Sequence, residues 1–149
     1  MTQQQNRKTV LAFLCCTVFL ASCQMRARIG VAPDSTASNL TFVLSAWNDD
    51  TPGALAEIKV SRCIEHEGDF PVRGETVWLA SVRDEARRPV VGRIEYGTDL
   101  GGLETLEGPT PLTTGCYIVS AYAMFPDPRG AVSVIRVQSD GAVSVDDDA

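Results

Sequence analysis

From Asn39 onward, apolar and polar residues alternate. Leu40, Phe42, Leu44 and Ala46 fall on one side of an extended chain, with Thr41, Val43 and Ser45 on the other. A period of two marks a half-buried strand. Asn48 to Gly53 (NDDTPG) supplies turn residues. Ala56, Ile58, Val60 and Ile64 then share a face, opposed by Glu57, Lys59 and Ser61. Cys63 falls on the polar face by strict count, which asks for a bulge or a place at a sheet edge. Glu65 to Gly74 reads as a polar loop. Glu75 to Arg83 (ETVWLASVR) is apolar on both faces, as in a central strand.

After a charged turn at Asp84 to Arg88, the residues Val90, Gly92, Ile94 and Tyr96 form a further apolar face. Gly97 to Gly115 contains five glycines and two prolines, with room for one short strand near Leu103 to Leu106. Gly115 to Ala123 (GCYIVSAYA) is a strong strand signal, and the two prolines of Met124 to Gly130 (MFPDPRG) predict its end. Ala131 to Val145 reads as a hairpin whose register can be chosen. A two-residue Asp140-Gly141 loop sets Val137 opposite Ser144. A three-residue Ser139-Asp140-Gly141 loop, with Gly141 left-handed, sets Val137 opposite Val143 and Ile135 opposite Val145. The second matches apolar with apolar and is preferred.

Seven or eight short strands and regular turns predict an all-β chain folded as one β-sandwich over residues 39–145. Trp78 in a central strand and the pair Cys63 and Cys116 invite an immunoglobulin-like comparison. The stretch Leu112-Thr113-Thr114-Gly115-Cys116-Tyr117-Ile118-Val119 resembles the L-x-P-G-x-Y-x-V strand start of prealbumin-like and fibronectin-like sandwiches, with Thr114 in place of the proline.

The N-terminal segment follows a different pattern. Arg7 and Lys8 precede the apolar run Thr9 to Leu20, which ends in Leu20-Ala21-Ser22-Cys23. The run is roughly half the ~20 residues of a bilayer span, so it reads as a signal helix of residues 1–22. LASC resembles the lipobox of bacterial lipoproteins. That resemblance implies a thioether-linked lipid on Cys23, cleavage before it, and acylation of the new terminus, palmitate being the usual label. Gln24 at the next position implies the outer membrane under the enteric sorting rule, with the domain facing the periplasm. Ile94 to Gly97 and Pro111 to Tyr117 further resemble small uncharacterised bacterial lipoproteins. Residues 23–38 have little apolar periodicity and are expected to be a flexible lipidated tether, spanning about 20 Å root-mean-square. Residues 146–149 form an acidic tail.

Charge and cysteines narrow the setting. The whole chain carries −6; without Arg7 and Lys8 there are 11 basic against 19 acidic residues, a net of −8. Such a surface disfavours nucleic acid. Cys15 and Cys16 lie in the signal and Cys23 is the lipid site, leaving Cys63 and Cys116 as an even pair in an oxidising compartment. They are expected to form one disulfide; two buried free thiols are the alternative.

Candidate chemistry is sparse. His66, flanked by Glu65, Glu67 and Asp69, is the sole histidine. A divalent metal or a general base is conceivable there, but a solvated loop is the simpler reading. Asp49 and Asp50, and Asp146 to Asp148, lack the ligand spacing of a calcium loop. There is no G-x-S-x-G, and no two of the acids stand out as a glycosidase pair. Tyr96, Tyr117, Tyr122 and Phe125 suit either a binding face or packing. No catalytic residue, metal or cofactor is therefore assigned. The expectation is an envelope lipoprotein whose sandwich binds a protein or glycan without catalysis. The alternative is a hydrolase or enzyme inhibitor acting on cell-wall chemistry. Any site is expected first in the Gly97–Gly115 loop or the Met124–Gly130 loop, since long loops in compact domains are often functional.

Overall fold

The computed structural model describes residues 27–46, 52–64, 71–125 and 127–146. Ten strands account for most of them: β1 (Ala27–Val31), β2 (Thr41–Ala46), β3 (Gly53–Ile64), β4 (Val72–Val82), β5 (Val90–Val91), β6 (Arg93–Glu95), β7 (Leu103–Glu107), β8 (Gly115–Phe125), β9 (Asp127–Val137) and β10 (Val143–Val145). They form two antiparallel sheets. The smaller has the order β1-β2-β6. The larger has the order β10-β9-β8-β3-β4-β7, with β5 paired to β3. The protein is an all-β sandwich. The one helical element among the described residues is a 3-10 turn, Glu85–Arg87, started by the Asp84 carboxylate accepting from the Ala86 N–H at 3.0 Å. None of their helices is long and apolar enough to cross a membrane.

The core lies where the alternation puts it. Phe42 and Leu44 from β2, Ile58 and Val60 from β3, Val77, Trp78 and Ala80 from β4, Ile94 from β6, and Tyr117, Val119 and Ala121 from β8 all point between the sheets. Leu40 is buried with them. Fully burying an aliphatic or aromatic side chain contributes about 1.5–3 kcal/mol, and Trp78, Tyr117 and Phe42 are the largest such groups. The preferred hairpin register is the observed one: Val143 pairs with Val137 and Val145 with Ile135. Gly141 sits at φ +85°, where a residue with a Cβ is strained.

Four expectations need correction. First, residues 27–37 are not a tether. β1 pairs with β2 along its whole length, from Ala27↔Ala46 to Val31↔Phe42. Ala27, Ile29 and Ala32 are buried. Ala27, Ile29 and Val31 do alternate, but Arg28 and Gly30 between them dilute the signal over only five residues. Thr36 also bridges to Asn39 and to Ala142, so the turn after β1 joins the β9–β10 hairpin. Second, Met124 to Gly130 is not a loop. β8 and β9 pair without interruption from Gly115↔Val137 to Phe125↔Asp127. β10 covers β9 only at its far end, so Pro128 lies on a free edge, where proline is tolerated. Third, Val90 to Tyr96 is not one strand. Val91 pairs with Gly53 in the large sheet and Ile94 with Phe42 in the small one, so the chain changes sheets at Gly92. Fourth, Ile64 is half-exposed at 51%, not core.

Cys63 and Cys116 are joined, with Cα atoms 5.2 Å apart. The bridge links β3 to β8, which are hydrogen-bonded neighbours inside the large sheet. This differs from the immunoglobulin pattern, in which the disulfide ties one sheet to the other. By alternation from the buried Val60 and Tyr117, both cysteines lie on the face turned away from the core. The β3–β4 ladder does shift register at Val60/Ser61 and at Ser61/Cys63, while the β3–β8 ladder is regular there, so Cys63 keeps its polar-face position and meets a partner that faces the same way. Cys23, the His66 cluster, Asp49, Asp50 and residues 147–149 lie outside the described residues.

Candidate binding cleft

The two sheets define two poles. At one, β1 ends at Val31, β8 begins at Gly115 and β9 ends at Val137. At the other, β1 begins at Ala27, β2 ends at Ala46, and Gly53, Val91 and Met124 meet. Ten residue steps of β8 at roughly 3.3 Å separate the poles by about 30 Å.

The cleft opens at the first pole. It has a volume of 390 Å³ and is lined by Ala37, Ser38, Tyr96, Gly97, Pro109, Thr110, Pro111 and Leu112. One wall is the segment between β7 and β8. It is held to the sheet by the Thr110 N–H, which donates to the Val77 carbonyl at 2.9 Å. The Gly108–Pro109 peptide is cis, and Gly108 has φ +73° with the Val77 carbonyl oxygen 2.1 Å from where a Cβ would lie. Only glycine fits there. The opposite wall, Ala37 and Ser38, belongs to the turn between β1 and β2. The Ala37 N–H donates to the Gly141 carbonyl at 2.9 Å, which fixes that wall to the β9–β10 hairpin.

Tyr96 forms the floor. Its ring meets buried Trp78 edge-on, centroids 5.2 Å apart and planes at 70°. Such a contact contributes about 0.5–1.5 kcal/mol beyond area burial. Its hydroxyl donates to the Thr110 carbonyl at 2.6 Å and lies 3.3 Å from the Val77 carbonyl. Burial disfavours the phenolate and pushes its pKa up to about 12, against a smaller lowering from the bond to Thr110. Trp78 is buried with its Nε1 lacking a hydrogen-bond partner. Its neighbour therefore shields an N–H that water does not reach.

The β7–β8 wall is anchored at its end by Tyr117. Its hydroxyl accepts from the Thr113 N–H and donates to the Thr113 carbonyl, each at 2.9 Å. This is a tyrosine corner. Arg62 caps it, donating from Nη1 to Thr113 Oγ1 at 3.2 Å, with its guanidinium carbon 5.5 Å from the Tyr117 ring centroid. The corner fixes the chain just after Pro111 and Leu112 and so fixes that end of the cleft.

Of the aromatic residues considered from sequence, only Tyr96 lines the cleft. Tyr117 is core, and Tyr122 is 44% exposed on the outward face of β8. The Phe125 side chain lies outside the described residues. The Gly97–Gly115 loop supplies five of the eight lining residues, as its length and composition suggested. The other nominated segment, Met124 to Gly130, lies at the opposite pole. Ala37 and Ser38 were missed because they were assigned to the tether; no composition signal marks them.

Chemically the cleft offers apolar walls, backbone groups, the hydroxyls of Ser38 and Thr110, and the backbone-bonded Tyr96 hydroxyl. Among the described residues, no cluster of three or more His, Cys, Asp or Glu side chains is placed to hold a metal ion. Asp146, considered above as a calcium ligand, instead accepts from Arg136 Nε at 3.0 Å. No protein-family model, curated protein or solved structure matches this chain.

Proposed function

We propose that the protein is a lipid-anchored lipoprotein of the bacterial cell envelope, and that its sandwich is a non-catalytic binding module using the cleft at Tyr96. The lipid attachment at Cys23 rests on the LASC sequence and its charged and apolar approach. The binding reading rests on one observation above the others. Among the described residues Tyr96 is the only ionisable side chain lining the cleft, and its proton is held to about pH 12 by burial. A wall of two prolines, a leucine and an aromatic ring suits shape-based contact, through stacking and backbone hydrogen bonds, with a sugar ring or an extended peptide. It supplies no group that exchanges a proton at neutral pH, as acid–base catalysis requires.

The test uses the purified lipidated chain and titrates soluble peptidoglycan fragments and envelope-derived peptides by calorimetry, alongside the Thr110→Trp variant. Thr110 is exposed and contributes only backbone atoms to the local hydrogen bonds, so the substitution fills the cleft without breaking its walls. Binding by the wild-type chain and at least tenfold weaker binding by T110W support the reading. Turnover of peptidoglycan that survives T110W overturns it in favour of a hydrolase with its site elsewhere.

A further inference from the structure

The pole opposite the cleft carries an apolar row that the core does not use. In register across four strands lie Val90 of β5, Ala54 of β3, Met124 of β8 and Pro128 of β9. Their chain neighbours Val91, Leu55 and Ala123 turn into the core. The row therefore sits on the outward face of the large sheet. Val90 is 68% exposed. Pro128 is exposed too, with Ala54 and Met124 half-buried between them. The next exposed apolar residues on that face are Tyr122, level with Glu57 and Gly130, and Val132, level with Ser120. Beyond the row one more level of pairs remains, Phe125 with Asp127 and Gly53 with Val91.

Where the chain enters the fold decides what this row meets. β1 is paired from Ala27 onward, and Ala27 belongs to the same pole: it pairs with Ala46, while the Leu44 N–H donates to Gly92, beside Val91. Only Gln24, Met25 and Arg26 separate Ala27 from Cys23. Four Cα–Cα steps reach at most about 15 Å. A lipid on Cys23 thus keeps Ala27 within about 15 Å of the acyl layer, half of the roughly 30 Å that separates the poles, which favours this pole as the membrane-facing one.

Charge at this pole is partly offset. The mature chain is strongly acidic, which anionic headgroups repel. Among the described residues here Arg83 pairs with Glu104, Arg87 with Asp84, and Arg88 with Glu85, while Glu57 is exposed and Asp49 and Asp50 lie in sequence between Ala46 and Gly53. Asp127 and Arg129 flank Pro128. Tyr122 stands where an amphipathic ring suits the headgroup level.

We infer that the row Val90, Ala54, Met124 and Pro128 rests on the lipid headgroup layer, and that the cleft is turned away from the membrane. This rests on the lipid-anchor reading. The occupant is the bilayer surface itself, and a second copy of the chain or a soluble partner on the same row is an outcome that the test separates.

The experiment uses the full lipidated chain in vesicles of phosphatidylethanolamine and phosphatidylglycerol containing a headgroup-level quencher lipid. An environment-sensitive fluorophore is placed on Val90→Cys in one sample and on Thr110→Cys in another, both positions being exposed. Intact mass reports the acyl groups on each sample. The expected result is quenching at position 90 at least fivefold stronger than at position 110, unchanged when the protein is diluted tenfold in the membrane. Equal quenching, or the reverse order, on chains with acyl mass on Cys23 overturns the orientation alone. Protection of position 90 that disappears on dilution also overturns it, in favour of a second copy. Absence of acyl mass overturns both the orientation and the anchor.

Discussion

The Tyr117 hydroxyl closes a two-bond clasp on Thr113, four residues upstream, accepting from its N–H and donating to its carbonyl, each at 2.9 Å. The clasp turns the chain from the wall of the cleft into β8, the strand that also carries the disulfide. Phenylalanine at position 117 keeps the buried ring and removes both bonds. Tyr117→Phe is expected to lower unfolding free energy by about 1–3 kcal/mol, read from the urea midpoint, with the secondary structure by circular dichroism unchanged.

The disulfide closes a segment of 53 positions. Chain entropy assigns such a loop about 4 kcal/mol. The paired variant Cys63→Ala, Cys116→Ala is expected to melt about 10 °C or more below the wild type, measured by calorimetry. Because the bridge spans two strands already hydrogen-bonded to each other, the variant should still give the wild-type strand signal at low temperature.

Tyr96 makes stability fall at high pH. An unfolded tyrosine ionises near pH 10.0, whereas Tyr96 in the fold holds its proton to about 12. Between these values the unfolded chain binds fewer protons, so stability is full below about pH 10 and declines as pH rises towards 12. Urea midpoints taken from pH 8 to 11.5 should show this decline, and Tyr96→Phe should flatten the part that this residue contributes. Ultraviolet titration of the folded wild type should show one phenol ionising later than the unfolded reference.

Two glycines with similar backbone angles should respond differently to alanine. Gly108 has φ +73° and a carbonyl 2.1 Å from the would-be Cβ; Gly141 has φ +85° and open space around it. Gly141→Ala is expected to cost about 1 kcal/mol from backbone strain alone. Gly108→Ala adds displacement of Val77 and is expected to cost at least about 2 kcal/mol more. Parallel urea unfolding of the two variants gives the comparison, and the Gly108 variant should also lose ligand binding, since its strand-to-cleft connection must shift.

Much of the large sheet was readable from period and turn chemistry. The β9–β10 register followed from matching Val137 with Val143, because a slip of one residue would have sent valines to solvent. The tyrosine corner was not legible in the sequence: the spacing of Leu112, Gly115 and Tyr117 suggests only a sandwich strand start, and Tyr117 suits either a binding face or packing. Its clasp uses backbone atoms of Thr113, so the missing proline at Thr114 does not affect it. What failed was local reasoning about edges. Pro128 looks like a strand breaker, yet it pairs with Met124 on a stretch of β9 that β10 does not reach. The change of sheet at Gly92 leaves no trace in the sequence, where Val90, Gly92 and Ile94 keep a period of two, although Val90 turns outward and Ile94 into the core. Five of the eight lining residues were visible as an unusually glycine- and proline-rich loop. Two more, Ala37 and Ser38, come from a turn brought over by β1, and only tertiary contacts, Thr36 with Ala142 and Ala37 with Gly141, place it there.

β1 has a practical consequence for anyone expressing this domain. A boundary drawn at Asn39, where the obvious alternation begins, would delete the strand that covers the outer edge of β2. The freed edge would present the backbone groups of Thr41 to Ala46 without partners, next to a core missing Ala27 and Ile29. An uncovered strand beside exposed apolar side chains is a template for pairing with other chains. Such a fragment would be recovered as aggregate or as an edge-paired dimer, while a fragment beginning a few residues before Ala27 keeps its edge covered.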